Sequence, residues 1–108
     1  MRQAQVFRNK VLAGILTEDD THNYMFTYTE EWFTDPKKPP ISLTLPKTQK
    51  EFKSEILFPF FFNMLSEGVN RKLQNRTLHI DEKDHFGLLM ATAQDDTIGA
   101  ITIKPINQ

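Results

Sequence analysis

Residues 52–68 hold five of the nine phenylalanines of this chain, four of them in the run Phe58-Pro59-Phe60-Phe61-Phe62 that leads on to Met64 and Leu65. A bilayer span needs about 20 consecutive apolar residues, and this stretch is shorter, so it is expected to be a helix packed inside a small domain. Pro59 suits the first helical turn, where its missing N–H leaves nothing unsatisfied, and Gly68 suits a helix stop. By helical spacing Leu57, Phe61, Met64 and Leu65 share one face and Phe58 and Phe62 the next, which leaves little room for a polar side. The rest of the chain has to cover such a helix on both sides.

The 108 residues suffice for one domain, 1–108, with a single core. At that size folding hides roughly two-thirds of the surface exposed by the unfolded chain. Hydrophobic content of 39% and charged content of 25% lie outside the disordered range. Absence of cysteine removes disulfides and thiolate metal sites from consideration and fits a reducing, cytoplasmic setting. No secretory leader is apparent, since the early apolar run 11–16 leads into Glu18-Asp19-Asp20 rather than a small-residue cleavage site. No membrane partner is expected.

Net charge is −1, which argues against a protein whose main task is gripping phosphates. The charge is unevenly spread: residues 18–35 carry six acids and no base, and residues 37–53 carry five lysines against Glu51. Solvated loop faces that attract each other weakly account for this pattern.

In chain order, Ala4–Phe7 and Val11–Leu16 flank Arg8-Asn9-Lys10 and predict a β-hairpin with a three-residue connection. Tyr24–Tyr28 alternates aromatic and other residues and predicts a third strand. Thr29-Glu30-Glu31-Trp32-Phe33 predicts a turn of helix capped by Thr29, ended by the proline-rich segment 35–40. Ile41-Ser42-Leu43-Thr44-Leu45 alternates strictly between prolines and predicts a short edge strand, with 46–52 as an exposed loop before the aromatic helix. Val69, Leu73, Thr77 and Ile80 continue at helical spacing, so a second, more exposed helix is expected. Asp81-Glu82-Lys83-Asp84 resembles a capping box ahead of Phe86, Leu89, Met90 and Ala93, which predicts a third helix. Residues 97–103 then give a closing strand whose partner the sequence does not fix. The fold class is α+β: a small antiparallel sheet of about five strands with two to three helices covering one face.

A search for chemistry returns little. The four glycines are isolated, so no phosphate-binding loop is present. His22, His79 and His85 share no ligand spacing, and none of the three serines sits in a nucleophile elbow. Neither a catalytic residue nor a metal or other cofactor is expected. Arg71, Lys72 and Arg76 could touch nucleic acid, yet in a chain of this net charge they are read as a solvated face, and direct nucleic-acid binding is not expected. Binding to another protein remains.

Segment order adds a resemblance. Ile41-Ser42-Leu43-Thr44-Leu45-Pro46, then Phe60-Phe61-Phe62-Asn63-Met64-Leu65-Ser66-Glu67-Gly68-Val69-Asn70-Arg71, then Asp96-Thr97-Ile98-Gly99-Ala100 resembles the first N-terminal subdomain of HipA-type serine/threonine kinases. Ser66 stands where that family usually has proline, Val69 where many members carry tryptophan or another large residue, and Gln94 where glycine is common. A copy of this subdomain on its own resembles the small HipS component of three-part toxin–antitoxin systems. The resemblance implies a non-enzymatic antitoxin that binds and blocks a HipA-like kinase toxin lacking this piece, with a HipB-like protein supplying DNA binding and able to join a ternary complex. It also makes the loop after the aromatic helix the docking element, with Met64, Ser66, Glu67, Gly68, Val69 and Asn70 as contact residues. An activating or structural subunit completing the kinase is the alternative implied role, and a nucleic-acid-binding accessory protein a more remote one.

Overall fold

The first two strands meet at a turn tighter than the sequence suggests. In the computed structural model of the chain, which describes residues 1–65, 76–81, 83–92 and 101–106, β1 (Arg2–Arg8) and β2 (Val11–Glu18) pair antiparallel with Arg8 opposite Val11. Only Asn9 and Lys10 remain in the connection, with φ of 50° and 69°. Two left-handed residues are what a two-residue type I′ turn requires, so Arg8 belongs to the strand and not to the loop. β3 (Tyr24–Tyr28) pairs with β2, β4 (Glu51–Ser54) with β3, and β5 (Ile101–Pro105) with β1, all antiparallel, in the order β4-β3-β2-β1-β5. The five-stranded antiparallel sheet of the expected α+β class is therefore present. The open question of the closing strand is answered by Val6 opposite Ile103. Of the expected strand 97–103, residues 97–100 lie outside the described residues.

The fourth strand is not the expected one. Segment 41–45 is a turn, with Ile41 and Leu45 buried and Leu43 93% exposed. The cause is Tyr28, at the end of β3: its hydroxyl donates to the Leu45 carbonyl and accepts from the Ile41 N–H at 3.1 Å. Both ends of the segment are thereby drawn to one phenol, which a straight strand of five residues could not allow. The pairing edge falls instead on Glu51-Phe52-Lys53-Ser54, where a loop was expected. Phe52 turns inward while Glu51 and Lys53 are exposed, and such alternating charges are how sheet edges avoid further pairing.

Register aligns the core in rows. Ala4, Leu16, Phe26 and Phe52 stand side by side across four strands, and Arg2, Glu18, Tyr24 and Ser54 form the row at the sheet's end. A bulge between Val6 and Phe7 leaves Ala13 as an extra residue in β2, next to Gly14. A Cβ at Gly14 would lie 2.5 Å from the Phe26 ring and 2.6 Å from the Thr27 carbonyl oxygen. The glycine thus admits Phe26 to the centre of the core.

Three helices are assigned among the described residues. α1 (Glu30–Thr34) begins as expected at Thr29, whose Oγ1 accepts the Trp32 N–H at 3.3 Å. The long loop after it is held by Trp32 Nε1 donating to the Pro39 carbonyl at 2.9 Å and by Lys47 Nζ donating to the carbonyls of Asp35 and Lys38 at 2.6 and 2.7 Å. Lys50 reaches Glu30 at 2.5 Å, one direct contact between the acidic and lysine-rich segments. α2 (Pro59–Phe62) and α3 (His85–Thr92) lie on the core face of the sheet, with Phe61 against Phe26 and Phe86 against Tyr24. α3 starts later than expected, because Asp84 rather than Asp81 caps it by accepting the Gly87 N–H at 3.0 Å. Asp81 instead accepts the Lys83 N–H in the preceding turn. Leu88 is buried beside Phe86 and Leu89, whereas Ala93 lies outside the described residues.

One charge cluster welds α3 to the sheet. Arg2 donates through Nε and Nη2 to Glu18 Oε1 at 2.9 and 2.5 Å, and through Nη1 and Nη2 to the two oxygens of Asp84 at 3.0 and 2.7 Å. The Tyr24 hydroxyl donates to Glu18 Oε2 at 3.0 Å, and the guanidinium lies 5.1 Å from the Phe86 ring centroid. Glu18 is only 6% exposed, so its charge is tolerable only with these partners. Gly87 is part of the arrangement, since a Cβ there would sit 2.3 Å from Asp84 Oδ2. The Arg2 bonds hold the Asp84 carboxyl below the usual carboxylate range. Burial, with the bond to Glu18, pushes the Tyr24 hydroxyl up to about 12.

Two outcomes are expected. Gly14→Ala should lower the unfolding free energy by about 1–3 kcal/mol in a denaturant titration, because neither the Thr27 carbonyl nor the Phe26 ring can retreat freely. Asp84 ionises more easily folded than unfolded, so its contribution is complete above about pH 4 and is lost as pH falls through the folded value. Asp84→Asn should therefore destabilise the protein at neutral pH, and the gap between the two proteins should close as the titration is moved below about pH 4.

Candidate partner-binding surface

Phe61 is completely buried and fixes the orientation of the aromatic segment. Its ring centroid lies 5.8 Å from Phe26, 6.3 Å from Phe58 and 5.2 Å from Phe60, all in tilted or edge-on geometries that favour the ring quadrupoles. Regular helix ends at Phe62, one turn after Pro59. The chain then continues in tighter bonds, Met64 N–H to the Phe61 carbonyl at 3.1 Å and Leu65 N–H to the Phe62 carbonyl at 3.0 Å. These bonds keep Leu65 pointed inward at 4% exposure. The expected helix is thus cut to the single turn Pro59–Phe62, with tighter turns carrying the chain on to Leu65, and residues 66–68 lie outside the described residues.

Seating Phe58, Phe61 and Leu65 in the core leaves the remaining side chains at the border with solvent. Phe60, Phe62 and Met64 are partly buried against the core, and Asn63 is exposed. Phe62 meets the His85 ring edge-on at 5.0 Å and 87°, which joins the end of α2 to the start of α3. Ile56, next to Leu57 at the head of the apolar run, is 67% exposed just before α2. Of the six expected contact residues, Met64 stands at this border. Ser66, Glu67, Gly68, Val69 and Asn70 lie outside the described residues, as do Val69, Leu73, Arg71 and Lys72 of the expected second helix.

The described end of that helix departs from its expected pattern. Arg76, Thr77 and Leu78 are helical and all exposed, so Thr77 does not face the core, although Ile80 does pack against it. His79 has φ of 57° and its N–H bonds back to the Arg76 carbonyl at 3.4 Å, a left-handed stop that lets Ile80 turn inward. Exposed Leu78, at 44%, and Ile56 are apolar surface that helical spacing alone did not reveal. Ile56 was concealed by the phenylalanines that follow it, since an apolar run gives no sign of where burial begins.

Among the described residues no group of three or more His, Asp or Glu side chains is placed to hold a metal ion. His85 is committed to the Phe62 ring, and His22 and His79 occupy left-handed turn positions. Among the described residues no helix is long and apolar enough to cross a membrane.

Comparison with known proteins agrees with this architecture. The chain matches the HipA N-terminal domain family over residues 4–104. It is 30% identical over 108 residues to an uncharacterized protein of Haemophilus influenzae, covering 96% of that protein. It is 29% identical over 108 residues to putative kinase Y4mE of Sinorhizobium fredii, of which it spans about a quarter, 26%. Among solved structures, an N-terminal domain of HipA toxin superposes with a TM-score of 0.75 at 28% identity, covering all of this chain and 95% of that one. A chain in the Shewanella oneidensis complex of HipA, HipB and operator DNA superposes with a TM-score of 0.76 at 26% identity, over 94% of this chain and 23% of that one. With the family match spanning nearly every residue and the same fold in both structures, the chain belongs to the HipA N-terminal domain family.

Proposed function

We propose that this chain is a HipS-like antitoxin, a non-enzymatic protein that binds a HipA-like serine/threonine kinase toxin lacking its own N-terminal subdomain and inhibits it. The observation that carries this reading is a contrast of lengths. The domain makes up 96% of the Haemophilus influenzae relative, yet only 26% of putative kinase Y4mE and 23% of the Shewanella oneidensis chain. The same unit thus occurs both as nearly an entire protein and as a minor part of a longer one. A domain that packs against a kinase core within one chain can bind such a core from outside, and inhibits it when it holds an unproductive arrangement. A HipB-like partner would then bring the pair to operator DNA, by analogy with the Shewanella oneidensis assembly of HipA, HipB and operator.

Docking is assigned to Met64, Ser66, Glu67, Gly68, Val69 and Asn70. Its support is the rigid platform beneath Met64, where Phe61 and Leu65 are locked in the core and cannot follow a partner. A short segment leaving such a platform presents its side chains at little further entropic cost. Valine at position 69 hides less surface than a large aromatic would, so affinity here rests on several residues of the segment. The presence of the domain within a protein named a putative kinase favours the second reading, a subunit that completes and activates its kinase.

Phosphate transfer by a HipA-like kinase without this subdomain, at fixed ATP and with stoichiometric excess of the chain, separates the two. Inhibition is expected, and Val69→Asp with Glu67→Ala should weaken it by at least about tenfold, or about 1.4 kcal/mol, at unchanged fold stability. A rise in transfer on adding the chain would instead make it an activating subunit.

A further inference from the structure

The net charge of −1 conceals a local cluster of basic side chains at one end of the sheet. Asp19 and Asp20 stand in the β2–β3 turn and Glu55 follows β4 at that same end, where Ser54 pairs with Tyr24. At the opposite end, the tip of the β1–β2 hairpin meets the loop after α1. Arg8 and Asn9 from the tip, and Lys37 and Lys38 from the loop, line one shallow groove of about 260 Å³ floored by Trp32, with Lys10 in the same turn as Asn9. Among the described residues no acidic side chain lines it. Asp35, the nearest acid in sequence, directs its carboxylate to the Lys37 backbone N–H at 2.9 Å. Among the described residues none of these four cations takes part in an ion pair.

We infer that this groove binds the phosphate backbone of double-stranded nucleic acid without regard to base sequence. Residues 29 positions apart, Arg8 and Lys37, are brought to the lining of one groove, and every charged side chain there is a donor with no acceptor to repel phosphate. The composition argues against an acidic protein as the occupant. Protein interfaces deplete lysine and depend on exposed aromatic or aliphatic anchors. Here Trp32 is 4% exposed beneath Lys38, whose Nζ lies 5.1 Å from its ring centroid, and the exposed apolar side chains of the lining are the small Val11 and Pro39 rather than a large anchor. Nucleic acid needs no such anchor, because released counterions supply the driving force. No residue of α2 lines the groove.

Fluorescence anisotropy of the full chain with a labelled duplex of about 20 base pairs tests this, and four phosphate contacts should weaken binding roughly 100-fold between 50 and 200 mM salt. Two duplexes of unrelated sequence should bind alike. Lys37→Glu with Lys38→Glu should reduce affinity at 50 mM salt at least about tenfold and flatten the salt slope by about two. Trp32 is the only tryptophan, so its emission should change on adding duplex to the unaltered chain and recover on adding salt, a readout that needs no variant. Absence of binding at about 50 µM protein in 50 mM salt would overturn the inference, as would a salt slope unchanged in the double variant. Displacement of duplex by polyglutamate at equal charge concentration would overturn it in favour of an acidic polypeptide.

Discussion

Phe61 seated on Phe26 is the contact on which the other packing depends. Phe26 occupies the middle of the central row of the sheet, and its ring fits only because Gly14, which stands opposite Tyr28, carries no side chain. Phe61 in turn fixes the direction in which α2 leaves the core, and with it the positions of Phe60, Phe62 and Met64 at the border. Burying two such rings yields several kcal/mol at about 25 cal/mol per Å², more than any single hydrogen bond of the fold contributes. An aromatic segment this apolar could not be left at a surface, so the sheet and α3 enclose it.

Polar contacts then decide how the enclosing elements are attached. The Tyr28 hydroxyl gathers Ile41 and Leu45, which closes the long loop over one side of the core. Arg2 joins Glu18 and Asp84, residues 82 positions apart from it in the second case, which closes α3 over the other side. Each is a buried or half-buried polar group with its partners supplied from distant segments, so each specifies one arrangement of the chain rather than adding much net stability.

Much of this was legible in the sequence. The alternation in Tyr24–Tyr28, the Thr29 cap, the existence of the hairpin and the start of the aromatic helix at Pro59 follow from local rules that agree with the final packing, whereas the hairpin turn is one residue shorter and the helix stops at Phe62. The misplaced fourth strand shows where local rules end. Ile41, Leu43 and Leu45 alternate as a strand would, but a hydroxyl from residue 28 draws their ends together, and no window of sequence contains both partners. Glu51 and Lys53 looked like loop residues because an edge strand uses charge for protection. The Arg2 cluster was missed for the same reason as the Tyr28 contacts, since its members come from β1, β2, β3 and the turn before α3. In the docking segment, helical spacing put Phe61 and Leu65 on the buried face and set Met64 with them, whereas Met64 is only partly buried beside them. The exposed Ile56 and Leu78 could not be told from core residues by their type alone.

The basic groove and the proposed docking segment draw on different residues of the chain. The central claim concerns the second of these, that the segment leaving α2 docks on a HipA-like kinase supplied by a separate chain. Hydrogen–deuterium exchange of this chain, free and with a HipA-like kinase that lacks the subdomain, addresses it most directly. Protection concentrated in residues 63–70, with the β2–β3 turn unchanged, is the expected result. A stable complex in which residues 63–70 exchange as fast as in the free chain would contradict the assignment.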